Sequence, residues 1–329
     1  MAANEHFRFY IGNGETIDQR GGELPPPEKS IEDNHPAQYI AEKALSDAVN
    51  VALMLSQPLL ITGEPGTGKT QLAWSIAYEL NLNGPLVFNA KTTSSAKDLF
   101  YRYDALRHFH DANMRQEQPR FTADDYITYE ALGLAILLSC RPGPSRPHLP
   151  DGLSGRGPVR SVVLIDEIDK APRDFPNDIL YEIEEMTFTV NETGRSFKVD
   201  DKYRPFVLLT SNSEKNLPEA FLRRCIFYDI PFPDKEQLKL IVERRLKLSE
   251  EFRKNMLNNA IEHFQEIRDL LLKKKPATAE LISWVRVLDR MQIDVRHLRP
   301  GQAEALALTY SVIAKNKDDL ETIKSTFSN

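Results

Sequence analysis

The sequence predicts an α/β fold, a mostly parallel sheet packed between helices, with a smaller all-helical domain after it. Three observations predict it. Short apolar runs alternate with helix-period segments between Tyr39 and Ile230. A glycine-rich turn from Gly63 to Thr70 joins the first of those runs to a helix. Beyond Pro231-Phe232-Pro233 the strand pattern stops and only helical periodicity continues. At 329 residues the chain exceeds one ordinary domain and falls short of three. The expected division is an irregular N-terminal segment over 1–36, the α/β domain over 37–231 and the helical domain over 232–329.

The elements follow in order. Gly12, Gly14, Gly21-Gly22 and Pro25-Pro26-Pro27 put too many breakers in the first segment for a regular element. Ile40, Ala44, Ala48, Val51 and Leu55 recur at helical spacing, so a helix is expected over Tyr39 to Leu55. Pro58 to Thr62 reads as a short buried strand, Lys69 to Leu80 as a helix and Leu86 to Phe88 as a strand. Ala131 to Leu138 is almost wholly apolar and reads as a buried helix. A Pro/Gly-rich loop over Arg141 to Pro158 precedes a strand at Ser161 to Ile165. One helix is expected after Phe175, with Ile179, Leu180, Ile183 and Met186 on its buried face. Phe188, Val190, Phe197 and Val199 alternate with polar residues around Asn191 to Gly194, the pattern of a β-hairpin. Further strands are expected at Phe206 to Leu209 and Ile226 to Ile230. Asp234 and Gln237 are spaced as a capping box and open the helical region, where Leu281, Ile282, Val285 and Leu288, then Ala303 to Ile313, supply apolar faces.

Composition sets bounds without naming a function. Hydrophobic residues at 41% and charged residues at 27% exclude a disordered or fibrous chain. A net charge of -6 provides no general attraction to phosphate backbones or anionic lipid, which argues against nucleic-acid and membrane partners. Cys140 and Cys225 stand far apart, as two free thiols in a reducing compartment would. Glu5, Arg8 and Glu15 interrupt any signal-peptide core, and no run approaches bilayer-spanning length, so the expected location is the cytoplasm.

The chemistry concentrates at the ends of three strands. Gly63-Glu64-Pro65-Gly66-Thr67-Gly68-Lys69-Thr70 fits G-x-x-x-x-G-K-[ST] and lies between a strand and a helix, where a phosphate-binding loop belongs. Its glycines let backbone amides wrap phosphate oxygens, Lys69 reaches the β/γ-phosphates and Thr70 ligates Mg²⁺. Val162 to Ile165 end in Asp166 and Glu167, two acids at the carboxyl edge of the sheet beside that loop. Asp166 is expected to hold Mg²⁺ through its water shell, and Glu167 to polarise an attacking water. Leu208 to Ser211 lead to Asn212, either a turn residue or an amide that orients the water. Arg223-Arg224 reads as a solvated pair or as an arginine finger reaching a neighbouring subunit's site, with Arg224 the candidate. Leu153-Ser154-Gly155-Arg156-Gly157 has a faint likeness to the ABC-type signature, but Pro158 and a strand follow it directly, where that signature opens a helix.

In this order, the phosphate loop, Asp166-Glu167, Asn212 and Arg224, followed by a helical C-terminal region, resemble the AAA+ superfamily. Asp166-Glu167-Ile168-Asp169-Lys170-Ala171-Pro172, the hairpin and Leu217-Pro218-Glu219-Ala220-Phe221 look like its MoxR-like branch. The resemblance covers about residues 37–329. It implies a P-loop AAA+ core with a C-terminal helical lid domain, and an ATP hydrolase working as a ring, usually a hexamer. The ring would remodel a protein client, often one with a von Willebrand factor A domain. By the same resemblance, Asn89 couples ligand binding to Glu167 and Tyr39-Ile40 line the adenine. Many members carry an arginine early in the third lid helix; here Ala279 and Glu280 occupy those positions, Arg286 lies about two turns on, and Lys275 is another cation nearby.

Residues 91–139 match no nucleotide motif and are the expected specificity element. Phe100-Tyr101-Arg102-Tyr103 within them would either join the core or grip a client in a pore. Two other outputs fit the same motifs: a slow nucleotide-dependent binding switch, and the motor subunit of a nucleic-acid restriction system, McrB-like and possibly using GTP.

Overall fold

Strands buried on both faces of a parallel sheet must be apolar along their whole length, and three such runs form the centre of this protein. The computed structural model describes residues 10, 35–114, 122–141, 149, 153, 157–213 and 217–327. Most of the expected irregular lead-in, of the Arg141 to Pro158 loop and of the Leu153 to Gly157 stretch lies outside the described residues. The chain divides into two compact units, residues 41–231 and a second unit that takes in residues from 232 onward together with the described residues up to Ile40.

The first unit runs α1 (Lys43–Leu55), β1 (Leu59–Gly63), α2 (Lys69–Glu79), β2 (Asn83–Asn89), β3 (Tyr101–Tyr103), α3 (Ala105–Met114), β4 (Ile127–Tyr129), α4 (Ala131–Ser139) and β5 (Ser161–Asp166). It continues with α5 (Phe175–Asp178), α6 (Leu180–Glu185), β6 (Thr187–Val190), β7 (Arg195–Lys198), β8 (Phe206–Thr210), α7 (Glu219–Leu222) and β9 (Ile226–Ile230). Five parallel strands form the main sheet in the order β2-β5-β8-β1-β9. Leu59, Leu60, Ile61, Val162 to Ile165, Leu208 and Leu209 are all fully buried, as central strands require.

The helix α4 is buried on all sides because its sequence is apolar on all sides. Gly133 lets it press onto the Phe100 carbonyl; a Cβ there would lie 2.0 Å from that oxygen. Phe100 and Tyr101 are buried, Phe100 stacks on Phe188 with ring centroids 5.2 Å apart, and the Asn191 N–H donates to the Tyr101 hydroxyl at 3.0 Å. These two aromatics are core rather than a client grip.

The expected single helix after Phe175 is two short ones, α5 and α6, meeting at Ile179, and Met186 closes the second in a left-handed conformation. The first helix begins at Lys43 rather than Tyr39, because Tyr39 is extended and follows a short turn over Pro36–Gln38. The β6–β7 hairpin pairs Phe188 with Phe197.

The second unit holds α8 (Lys235–Arg245), α9 (Glu250–Asn255), α10 (Leu257–Asp269), α11 (Thr278–Met291), α12 (Gln302–Ile313) and α13 (Lys317–Phe327). Asp234 and Gln237 form a reciprocal capping box at the start of α8, with N···O distances of 2.8 and 3.0 Å. Glu280 is occupied within this unit, accepting from the Ala277 N–H at 3.0 Å and pairing with Lys315 at 3.3 Å. No described helix is long and apolar enough to cross a membrane.

The core of this unit contains a histidine. His263 lies among the rings of Trp284, Tyr310 and Phe327, and its Nε2 shares a 2.9 Å hydrogen bond with the Tyr310 hydroxyl. Burial pushes its pKa down from 6.5 to about 4; Glu266 opposes the shift and Arg296 adds to it. The folded value is the depressed one, so the unfolded chain takes up a proton near pH 6.5 that the native chain refuses until about pH 4. Stability is therefore full above pH 6.5 and declines as pH falls through that window, by about 3 kcal/mol in all. Thermal unfolding from pH 7 to 4.5 should show this decline, with a flatter profile in His263→Phe. Parallel profiles would contradict it.

Candidate functional site

The phosphate loop is shaped by glycines where side chains do not fit. Gly63, Gly66 and Gly68 have φ of 138°, 79° and 88°, values that favour glycine. At Gly63 a Cβ would also lie 2.7 Å from the Ile230 carbonyl oxygen, where β1 and β9 run together. Glu64, Pro65 and Gly66 form the exposed crest of the loop, and the Thr67 hydroxyl closes it by donating to the Glu64 carbonyl at 2.9 Å. Gly68 then opens α2, and no side chain caps that helix. Its N-terminal amides and dipole thus suit an anion.

Lys69 is only 7% exposed. Its ammonium spends all three protons, donating to the carbonyls of Gly63 at 2.7 Å and Glu64 at 3.0 Å and to Asn212 Oδ1 at 3.0 Å. Burial lowers its pKa, and Asp169, Asp166, Glu167 and Asp229 oppose that shift. A concentration of carboxylates around one buried cation matches a site that receives a polyanion together with a metal ion.

The two acids sit where the sheet ends. Asp166 faces Asn89 across the β2–β5 ladder. Its carboxylate accepts from the Thr70 hydroxyl at 3.1 and 3.2 Å and from the Thr210 hydroxyl at 2.5 Å. Glu167 follows in a left-handed conformation, φ 56° and ψ 49°, which turns the chain sharply out of β5. Its N–H donates to the Thr210 hydroxyl at 2.8 Å, and its half-exposed carboxylate is paired with Lys170. Asn212 is fixed at both ends, the side chain on Lys69 and the backbone N–H on Asp169 Oδ1 at 3.2 Å.

The structure thus brings together Lys69, Thr70, Asp166, Glu167 and Asn212. It does not add Arg224, which lies on the surface with Glu184 at 3.4 Å and the Ala220 carbonyl at 3.3 Å, while Arg223 pairs with Glu219. Among the described residues Asn89 makes no hydrogen bond to Glu167, whose partner is Lys170. Tyr39 and Ile40 fall in the second unit. Cys225 is a free thiol whose pKa burial raises to about 12, so it is inert near neutrality.

Two contributors escaped the sequence reading, Thr210 and Asp169. The available signal for Thr210 was a lone hydroxyl closing an apolar strand; for Asp169 it was a third acid three residues after Asp166.

The donor set suits a hard, oxygen-seeking ion. The Thr70 hydroxyl and the Asp166 carboxylate converge at the start of α2, and Mg²⁺ is commonly bound by one or two such groups with phosphate and water completing the shell. Uncapped helix N-terminal amides, a buried lysine, a hydroxyl–carboxylate pair and an adjacent carboxylate are the kinds of group that phosphoryl transfer to water uses.

A family model described as AAA domain (dynein-related subfamily) matches residues 58–225. Among solved structures the chain is similar to the Thermotoga maritima RuvB Holliday junction branch migration motor, at 16% identity over 86% of this chain and 67% of that one, with a TM-score of 0.40. It is also similar to a structure described as the structural basis for katanin self-assembly, at 17% identity over 88% of this chain and 84% of that one, with a TM-score of 0.41. No curated protein matches the sequence.

Proposed function

The chain belongs to the AAA domain family, dynein-related subfamily, and is a P-loop ATPase; from that premise we propose that it couples Mg²⁺-dependent ATP hydrolysis to remodelling or assembly of a protein partner, as a member of the MoxR-like branch. It works in the cytoplasm as a self-assembled ring, a hexamer, and its client is a protein such as one with a von Willebrand factor A domain.

Gly63 to Thr70 wrap the triphosphate, and Lys69 leaves its loop carbonyls for the β/γ-phosphates. Thr70 and Asp166 would hold Mg²⁺, and the ion would supply charge neutralisation along the phosphates. Glu167 leaves Lys170 to polarise the attacking water, and Asn212 orients that water against the γ-phosphate. Arg224, exposed on its own subunit, completes the neighbour's site in trans. The observation that carries this proposal is the convergence of Thr70, Asp166 and Glu167 on one hydroxyl-linked network beside a lysine already bonded to Asn212.

Steady-state turnover of ATP and GTP, each with and without duplex DNA, tests it. ATP is the expected substrate, with no response to DNA. A GTP preference with DNA stimulation would transfer the protein to the restriction-motor class, and turnover too slow to sustain cycling would make it a binding switch.

A further inference from the structure

We propose that Thr210 is a positioning residue that sets both acids of the site through one hydroxyl group. Its side chain is fully buried at the end of β8, a strand whose preceding residues are Phe206, Val207, Leu208 and Leu209. Valine has nearly the same shape and no polar group to satisfy, so packing alone gives no reason for a hydroxyl at this position. The reason lies in its two bonds. A hydroxyl carries one proton and two lone pairs, and the direction of each bond here is forced. The Glu167 N–H can only donate, so the oxygen accepts from it at 2.8 Å. The remaining proton goes to Asp166 Oδ1 at 2.5 Å.

That arrangement has two consequences. The ladder between β5 and β8 ends with Ile165 opposite Leu209, and beyond it the Thr210 side chain bonds the Glu167 N–H. It anchors Glu167 in a left-handed conformation that a non-glycine residue adopts only when its surroundings hold it. On the other side it fixes the rotation of the Asp166 carboxylate, which also accepts from Thr70, and so sets the angle at which these oxygens would meet a metal ion. Asp169 reinforces the same junction by accepting from the Asn212 N–H, tying the segment after β8 to the segment after β5.

This inference rests on the roles proposed above for Asp166 and Glu167. Thr210→Val and Thr210→Ser separate the hydroxyl from the methyl group. Removing a group that orients metal ligands typically lowers activity or metal affinity by about 10–100-fold. In Thr210→Val, kcat at saturating Mg-ATP should fall by about that factor, and KM for Mg-ATP should rise in step with the loss of Mg²⁺ affinity. The Mg²⁺ concentration that half-saturates its enhancement of binding to a fluorescent ATP analogue should rise in parallel, while binding in EDTA stays at the native level. Thr210→Ser should restore these quantities.

Native kcat and native Mg²⁺ dependence in Thr210→Val would overturn the inference, and so would a serine variant as impaired as the valine one, since that points to methyl packing. Thr210→Ala serves the same comparison if the valine variant does not fold. Native protein and Glu167→Gln run in the same series keep the two proposals apart. If native protein fails to turn over ATP, the proposed function falls, and the Mg²⁺ titration of analogue binding still decides the role of Thr210.

Discussion

Glu167→Gln is expected to lower ATP turnover by about 10²–10⁴-fold while Mg-ATP binding survives, the range seen when a general base is removed. Glutamine keeps the size of the side chain and leaves the backbone N–H bond to Thr210 intact, so the turn out of β5 should persist. What disappears is the negative charge that would draw a proton from water. The change also dissolves the ion pair with Lys170, but that pair is exposed and contributes little to stability. Single-turnover and equilibrium-binding measurements separate the two effects. Near-native turnover would show that another group handles the water. A protein client bound only in the ATP state should accumulate on this variant, because the release step is blocked.

Arg224→Ala is expected to cost about 10³–10⁵ in turnover, the value of an arginine supplied to a phosphoryl group in trans. Its loss should also be curable by mixing. Arg224 lies on the surface beside Glu184, outside the cluster around Lys69, so a contribution to hydrolysis has to be made to another subunit. Glu167→Gln and Arg224→Ala therefore damage different partners of one interface. In a randomly mixed ring, roughly a quarter of the interfaces pair an intact acid with an intact arginine, and activity should return to a corresponding fraction. A mixture as inactive as its components would contradict the action of Arg224 in a neighbouring site, and native turnover in Arg224→Ala would remove it from the mechanism.

Much of this architecture is legible in the chain because burial on both faces leaves a simple trace. The runs ending at Gly63, Asp166 and Thr210 carry the uninterrupted apolar stretches Leu59 to Ile61, Val162 to Ile165 and Phe206 to Leu209, and each ends in the residues that bear the chemistry. The Asp234–Gln237 cap is equally direct, since both partners of its hydrogen bonds lie within one turn. The rest depends on contacts between distant segments. The β3–β4 ribbon has only three residues in each strand, and its tyrosines find their places against Phe188 and Asn191, far along the chain. The break at Ile179 is invisible to periodicity, because Ile179, Leu180, Ile183 and Met186 would line a continuous helix equally well. Thr210 looks like the start of a turn until its neighbour in the sheet is known. Its bonds to Asp166 and Glu167 span more than forty residues.

The account depends most on the grip of Lys69 and its loop on the triphosphate, and calorimetric titration with Mg-ATP reads that directly. Native protein should bind at one site per chain. Lys69→Ala should weaken binding by at least about 10–100-fold, the equivalent of one charge-assisted hydrogen bond to phosphate. Equal affinity in the two proteins, or no affinity in the native one, would contradict the account.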